Sequence, residues 1–424
     1  MIKFLIKGIL RDRSRSLFPI LIVVLGVMLA VFMHSWIKGA EINFVDSTAN
    51  FKSGHVNVMS RAYLEESESI PNDLAYIGVN DLINRLEKNY PQMTWTPRIR
   101  FGGLLDIPDE KGQTKTQGPV SGVAVDIFSK TSPEKEILNL EESIVRGRMP
   151  EKSREILISE QFARRLGVQP GDIATLLSST MYGSMATANF VVVGTVRFGI
   201  TALDRGSMIA DITDIQYTLN MEDAAGEILG FFNDDVYREE EANEIKSSFN
   251  DEDRDVEDEF APVMSTLRDE PGIAEYLDMI SYFSGVLVFI FIVAMSIVLW
   301  NAGLMGNLRR YGEIGIRLAI GEKKGHLYRS MLAESMMIGC IGTVIGTAVG
   351  LALSYYLEVK GIDISGMMKN ASIMFSEVMR AKVTIGSYFI GFIPGLGATF
   401  LGSAISGIGI YRRQPSQLTK ELET

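Results

Sequence analysis

RRYGEIGIRLAIGEKKG, residues 309–325, lies between two long apolar runs and carries Arg309, Arg310, Arg317, Lys323 and Lys324. Its register predicts a short amphipathic helix: Ile314 and Leu318 share one face, and Ile316, Ala319 and Ile320 form a second small apolar patch. Glu313 and Arg317 stand four apart, in the order that favours a salt pair. A basic helix tethered between oily segments belongs at the surface of a membrane, either resting in the interface or docking into a soluble partner.

Four segments meet the requirement of about 20 predominantly apolar residues for a helix that spans a bilayer. They are 17–36, 280–306, 331–356, which carries only Glu334, and 383–410. The first follows a basic leader (Lys3, Lys7, Arg11, Arg13, Arg15). Its apolar region exceeds the roughly 7–15 residues of a signal peptide and no A-x-A site follows, so a retained anchor is expected. In the third, Gly342, Gly346 and Gly350 recur every four residues; in the fourth, Gly391 and Gly395 flank Pro394. Small residues so spaced let helices approach closely in lipid, within one four-helix bundle or at a seam between subunits. The single bundle is the reading adopted.

Charge sorts along the chain. The net value of −11 argues against a general nucleic-acid binder. Residues 37–279 carry −20, whereas residues 1–16 and 309–329 each carry +4. By the positive-inside bias, 1–16, 307–330 and the tail 411–424 are cytoplasmic. Residues 37–279 then lie outside, as does a loop at 357–382. The fold class expected is a membrane protein of four transmembrane α-helices, with a large α/β extracytoplasmic domain inserted between helices 1 and 2.

Within 37–279, residues 120–128, 155–159, 172–177 and 189–198 read as strands. SEQFARRLG reads as a helix capped by Ser159 and closed by Gly167, and a second helix is expected over 213–220. The acidic tract 233–260 lacks the D-x-[DN]-x-[DN]-G calcium loop and reads as a solvated helix and loop.

Catalytic constellations are not evident. His34, His55 and His326 are far apart, and there is no H-E-x-x-H, C-x-x-C, G-x-S-x-G or G-x-x-x-x-G-K-[ST]. Catalysis, metal binding and ATP hydrolysis by this chain are therefore not expected. The lone Cys340 excludes an internal disulfide.

The opening stretch resembles the region after the second span in ABC-transporter permeases of the FtsX/MacB/LolC–LolE type, whose pattern is R-x-x-E-I-G-x-x-x-A-x-G. Arg310, Glu313, Ile314, Gly315, Ala319 and Gly321 carry the match. Residues 147–172 and 190–216 resemble that family's extracytoplasmic core domain, and SGHVNVMSRAY (53–63) is similar to its start. The tail fits at Arg412, Arg413 and Pro415, although Leu418 comes one position early.

The resemblance implies a bacterial inner-membrane permease subunit with both termini cytoplasmic. It would pair with a second copy or a paralogue and with two copies of a separate ABC ATPase, which would bind ATP and Mg. Residues Arg310, Glu313, Ile314, Gly315, Arg317, Ala319 and Gly321 would form the coupling helix of a mechanotransmission mechanism. The chain begins shortly before its first span, which points to lipoprotein release rather than fused efflux. Met28, Phe32 and Trp36, with Phe283, Leu287 and Phe291, would be candidates for an acyl-chain cavity, although such stripes also serve as lipid-facing or packing surface. Efflux of drugs or peptides with an adaptor is the second reading. An FtsX-like relay to a cell-wall hydrolase is the third, but that class typically has a smaller outer domain.

Overall fold

Helix α1 of the computed structural model runs from Arg13 to Thr48, well beyond the apolar run. The structure describes residues 13–129, 132–198, 201–252, 258–308, 311–363 and 378–412. At 1.5 Å per residue the 36 residues of α1 measure about 54 Å, against roughly 30 Å of hydrocarbon. A Lys38–Glu41 ion pair at 2.8 Å and a bond from Thr48 Oγ1 to Phe44 O support the polar extension. A π-helical turn, Ala49–Ser53, follows, and Gly54 at φ 63° ends it.

The outer domain comprises β1 (Val56–Ser60), β2 (Tyr76–Ile77), α2 (Val79–Asn89), β3 (Met93–Pro108), β4 (Thr114–Val125), α3 (Glu134–Ile137), β5 (Ile144–Gly147), β6 (Glu155–Ser159), α4 (Glu160–Leu166), β7 (Ile173–Ser179), β8 (Met185–Val196), β9 (Ser207–Asp211), α5 (Ile212–Leu219), β10 (Ala224–Ala225), β11 (Glu227–Phe232), α6 (Glu239–Glu252) and β12 (Pro262–Thr266), with a few single turns between them. The strand order is β12-β1-β11-β3-β4-β9-β6-β8-β5, and β7 joins β8 back to β3. Six strands thus close into a ring, and β11, β1 and β12 extend from β3 as a flank. The long β3 serves both parts. On one edge its first half pairs with β11 through Arg98, and its second half pairs with β7 from Leu104.

The four predicted strands and both helices are present, with shifted ends. Gly167 closes α4 at φ 71°. Ser159 precedes it without a capping bond, and its Oγ is buried and unpartnered. α5 starts one residue earlier than the expected 213, capped by Asp211, which accepts from Thr213 N–H at 3.0 Å. The acidic tract holds α6, which buries Ala242, Ile245 and Phe249 under a charged outer face. His55, at the start of β1, is 2% exposed, and its Nδ1 accepts from Phe232 N–H at 3.0 Å. Burial and the Arg238 guanidinium depress it to about 4. The neutral ring therefore contributes stability that is fully present above pH 6.5 and is lost as pH falls toward 4. We expect a loss of about 3 kcal/mol across that window. Sheet circular dichroism of the full chain in detergent against pH checks it, with His55→Gln flattening the response.

In the helical unit, α7 (Ile273–Leu308), α9 (Lys324–Lys360), and α10 (Ile385–Phe389) with α11 (Thr399–Arg412) accompany α1. Among the described residues, four helices are long and apolar enough to cross a membrane. The fourth, Ile385–Ile405, contains a π-helical turn, Ile393–Ala398. Pro394 lacks the N–H needed to continue an α ladder, and Thr399 Oγ1 donates to Gly395 O at 2.6 Å beyond the irregularity.

The glycine stripe packs inside the chain. Gly342, Gly346 and Gly350 face Val23, Val27 and Val31 of α1, and Gly391 also abuts Val27. A Cβ on Gly346 would lie 2.7 Å from Val24 O. Gly346→Leu should therefore cost about 1–3 kcal/mol through overpacking. Gly397→Leu, where a Cβ meets nothing within 4 Å, should be neutral; thermal unfolding in detergent distinguishes them.

Candidate functional site

Between α7 and α9 lies helix α8, Tyr311–Ala319. Its end is a Schellman turn: Gly321 N–H donates to Leu318 O at 3.0 Å and Glu322 N–H to Arg317 O at 3.1 Å. Gly321 has φ +100°, the left-handed region that glycine tolerates at low cost. The inner face is fixed by Leu318, which packs against Leu327, Met331 and Tyr328. Tyr328 in turn donates to Ala404 O of α11 at 3.3 Å.

On the outer face, Ile316 is 54% and Ile320 82% exposed, and Ala319 is exposed beside them. Arg317 Nε and Nη2 grip both oxygens of Glu322 at 2.7 and 2.9 Å, while the expected pair with Glu313 involves a side chain outside the described set. The Schellman turn folds residue 322 back over 317, which helical spacing alone did not foresee. Gly315 is buried on the inner side. Glu313 and Ile314 lie on the α8 backbone with side chains outside the described set, and Arg310 lies outside the described residues.

The two aromatic stripes differ in setting. Met28, Phe32 and Trp36 are half-buried, with the Phe32 and Trp36 rings 6.0 Å apart. Phe283 and Leu287 are exposed and Phe291 is half-buried on α7. Helix α7 makes limited contact with its neighbours; Trp300 against Gly402 of α11 is one point of approach.

A second constellation, missed in the sequence, lies within the outer unit, where residues 44–53 meet residues 270–276. Arg98, 2% exposed, makes a bidentate pair with fully buried Glu134, Nε–Oε1 and Nη2–Oε2 both at 2.8 Å. Its Nη1 donates to Asn50 O in the π turn at 2.6 Å. Lys52 of the same turn pairs with Glu270, just before α7, at 2.7 Å. The Phe44 and Tyr276 rings pack tilted with centroids 4.5 Å apart, near a buried cluster of Ala49, Leu229, Phe231 and Leu267. Nearby, Arg100 pairs with Glu227, whose carboxyl is raised by burial. Nothing in the local hydropathy marks Arg98 as buried; the missing signal is tertiary.

Residues 16–247 match the model of the MacB-like periplasmic core domain, and residues 285–415 match that of the FtsX-like permease C-terminal. The chain is 25% identical over 210 residues to the lipoprotein-releasing system transmembrane protein LolC of Xylella fastidiosa, covering 48% of each chain. It is 34% identical over 101 residues to the macrolide export ATP-binding/permease protein MacB of Campylobacter fetus, covering 24% of this chain and 15% of that protein. The chain thus spans about half the length of the LolC relative it matches. The periplasmic region of MacB from Actinobacillus actinomycetemcomitans aligns at 12% identity with a TM-score of 0.35, covering 52% of this chain and 92% of that one. With the core domain lying between the first membrane helix and the later three, the chain belongs to the FtsX/MacB/LolC family of ABC-transporter permeases.

Proposed function

We propose that this permease couples ATP hydrolysis in a separate partner ATPase to extraction of a lipoprotein, or another amphiphile, from the outer leaflet of the inner membrane. The observation that carries the coupling is the outer face of α8. A helix pinned on one side by Leu318 presents Ile316, Ala319 and Ile320 on the other. An exposed apolar patch bounded by a bidentate ion pair fits a groove in a soluble protein. Arg310, Glu313, Ile314, Gly315, Arg317 and Gly321 complete this coupling segment. In this reading the termini and α8 are cytoplasmic and the β domain is periplasmic. Two permeases, identical or paralogous, assemble with two ATPases that bind ATP and Mg.

Similarity to LolC over half of both chains supports lipoprotein cargo over MacB-like efflux or an FtsX-like relay to a hydrolase. The half-buried Met28, Phe32 and Trp36 and the exposed Phe283 and Leu287, with Phe291, are the candidate acyl-chain surface. Affinity purification in mild detergent, with identification of every bound protein, tests the reading. An ABC ATPase with acylated lipoproteins is the expected result. An ATPase with a hydrolase would favour the relay, and a well-behaved complex without any ATPase would refute the coupling role of α8.

A further inference from the structure

Helix α9 carries buried hydroxyls beside its glycines. Thr343 and Ser354 are fully buried and Thr347 is nearly so. None of these three hydroxyls has a hydrogen-bond partner among the described residues. For the two threonines the facing groups explain why. Thr343 Oγ1 occupies the space that a Cβ on Gly395 would need, and Thr347 Oγ1 is 3.2 Å from where one on Gly391 would sit. A glycine Cα–H can at most donate weakly to a hydroxyl, which leaves the O–H itself without an acceptor. Neighbouring hydroxyls in the same bundle are satisfied: Thr399 Oγ1 donates to Gly395 O at 2.6 Å, Ser35 Oγ to Ser387 Oγ at 3.1 Å, and Ser403 Oγ to Ser335 Oγ.

An unbonded O–H in so apolar a setting is costly, and carbonyl acceptors stand within one turn. Gly395 O is 3.2 Å from where a Cβ of Gly339 would be, one turn before Thr343. The fourth helix also has the means to change register. Its π turn, Ile393–Ala398, holds one residue more than an α turn. Moving that surplus along the helix shifts the residues it passes by about 1.5 Å. Gly391, Gly395 and Gly397 keep the backbone cost of such a move low.

We propose that the fourth helix works in two registers against α9, an inference that rests on the coupling reading above. The structure holds the register in which Thr343 and Thr347 are unbonded. In the other register both hydroxyls donate to carbonyls of the fourth helix, and the nucleotide state of the partner ATPase sets the balance. Shifts of about 1–2 Å are ordinary for packed helices that switch, because tight seams are bistable rather than continuously deformable. Tyr328 supplies the link to the ATPase side: it packs with Leu318 of α8 and donates to Ala404 O of the fourth helix.

The test uses the full chain with its co-purifying ATPase in lipid nanodiscs, and compares Thr343→Val/Thr347→Val with Thr343→Ser/Thr347→Ser. Valine keeps the shape of threonine and removes the hydroxyl, whereas serine keeps the hydroxyl. Because the hydroxyls are unbonded in the register seen, valine should raise the thermal midpoint without nucleotide by about 2–4 °C. Because they are bonded in the other register, valine should slow ATP hydrolysis about tenfold, and serine should retain most of the rate. A midpoint unchanged or lowered by valine, hydrolysis unchanged by valine, or equal slowing by serine would overturn the proposal. Unchanged hydrolysis in a complex that contains the ATPase leaves the permease reading standing. A preparation without any ATPase removes that reading, and the two-register stroke with it.

Discussion

An assembly carrying Ile320→Asp is expected to keep its permease in the membrane, retain basal ATP hydrolysis in the ATPase, and lose cargo-stimulated hydrolysis. At 82% exposure, Ile320 contributes little to the fold of this chain, so its replacement should not disturb insertion. A charge at the centre of a docked apolar patch should weaken docking by about 2 kcal/mol, roughly thirtyfold. Gly321→Trp reaches the same end by another route. A side chain at φ +100° costs about 1–2 kcal/mol and opens the Schellman turn that brings Glu322 onto Arg317. Hydrolysis in reconstituted vesicles, with and without cargo, measures both. Unchanged stimulation in either variant would remove α8 from the coupling path.

Glu134→Ala should destabilise the outer domain by about 3–5 kcal/mol, because it strands the Arg98 guanidinium at 2% exposure without its carboxylate. Thr96 Oγ1, which donates to Glu134 Oε1 at 2.9 Å, would lose its acceptor as well. The double replacement Arg98→Met with Glu134→Leu should recover much of that loss, since a buried ion pair is roughly exchangeable for apolar side chains of similar volume. Denaturant titration followed by far-ultraviolet circular dichroism distinguishes the two. If the double variant is no more stable than the single one, bonds to Asn50 and Thr96 dominate over the buried charges.

The membrane helices were legible because about twenty apolar residues without charge leave few alternatives, yet their ends were not. Lys38 and Glu41 look like loop residues to a hydropathy reading, but they pair across one helical turn and carry α1 onward. The short strands at 155–159 and 189–198 showed as β-branched runs. The longest strand did not, because Pro97, Arg98, Arg100 and the pair Gly102–Gly103 break any alternation in β3. Arg98 is informative once folded: it anchors the π turn. On α8 the apolar patch at 316, 319 and 320 was visible as spacing. The partner of Arg317 was not, because Glu322 reaches it only through a left-handed glycine.

Strand β1, the first of the outer domain, and β12, the last, pair antiparallel with Val56 opposite Thr266. The polypeptide enters and leaves this domain through adjacent strands, about 5 Å apart. Everything between them is therefore a cassette whose two ends meet, and a turn of about two to five residues would suffice to bridge them. Such an architecture lets the inserted domain be enlarged, exchanged for another module or trimmed to a hairpin without rerouting a membrane helix.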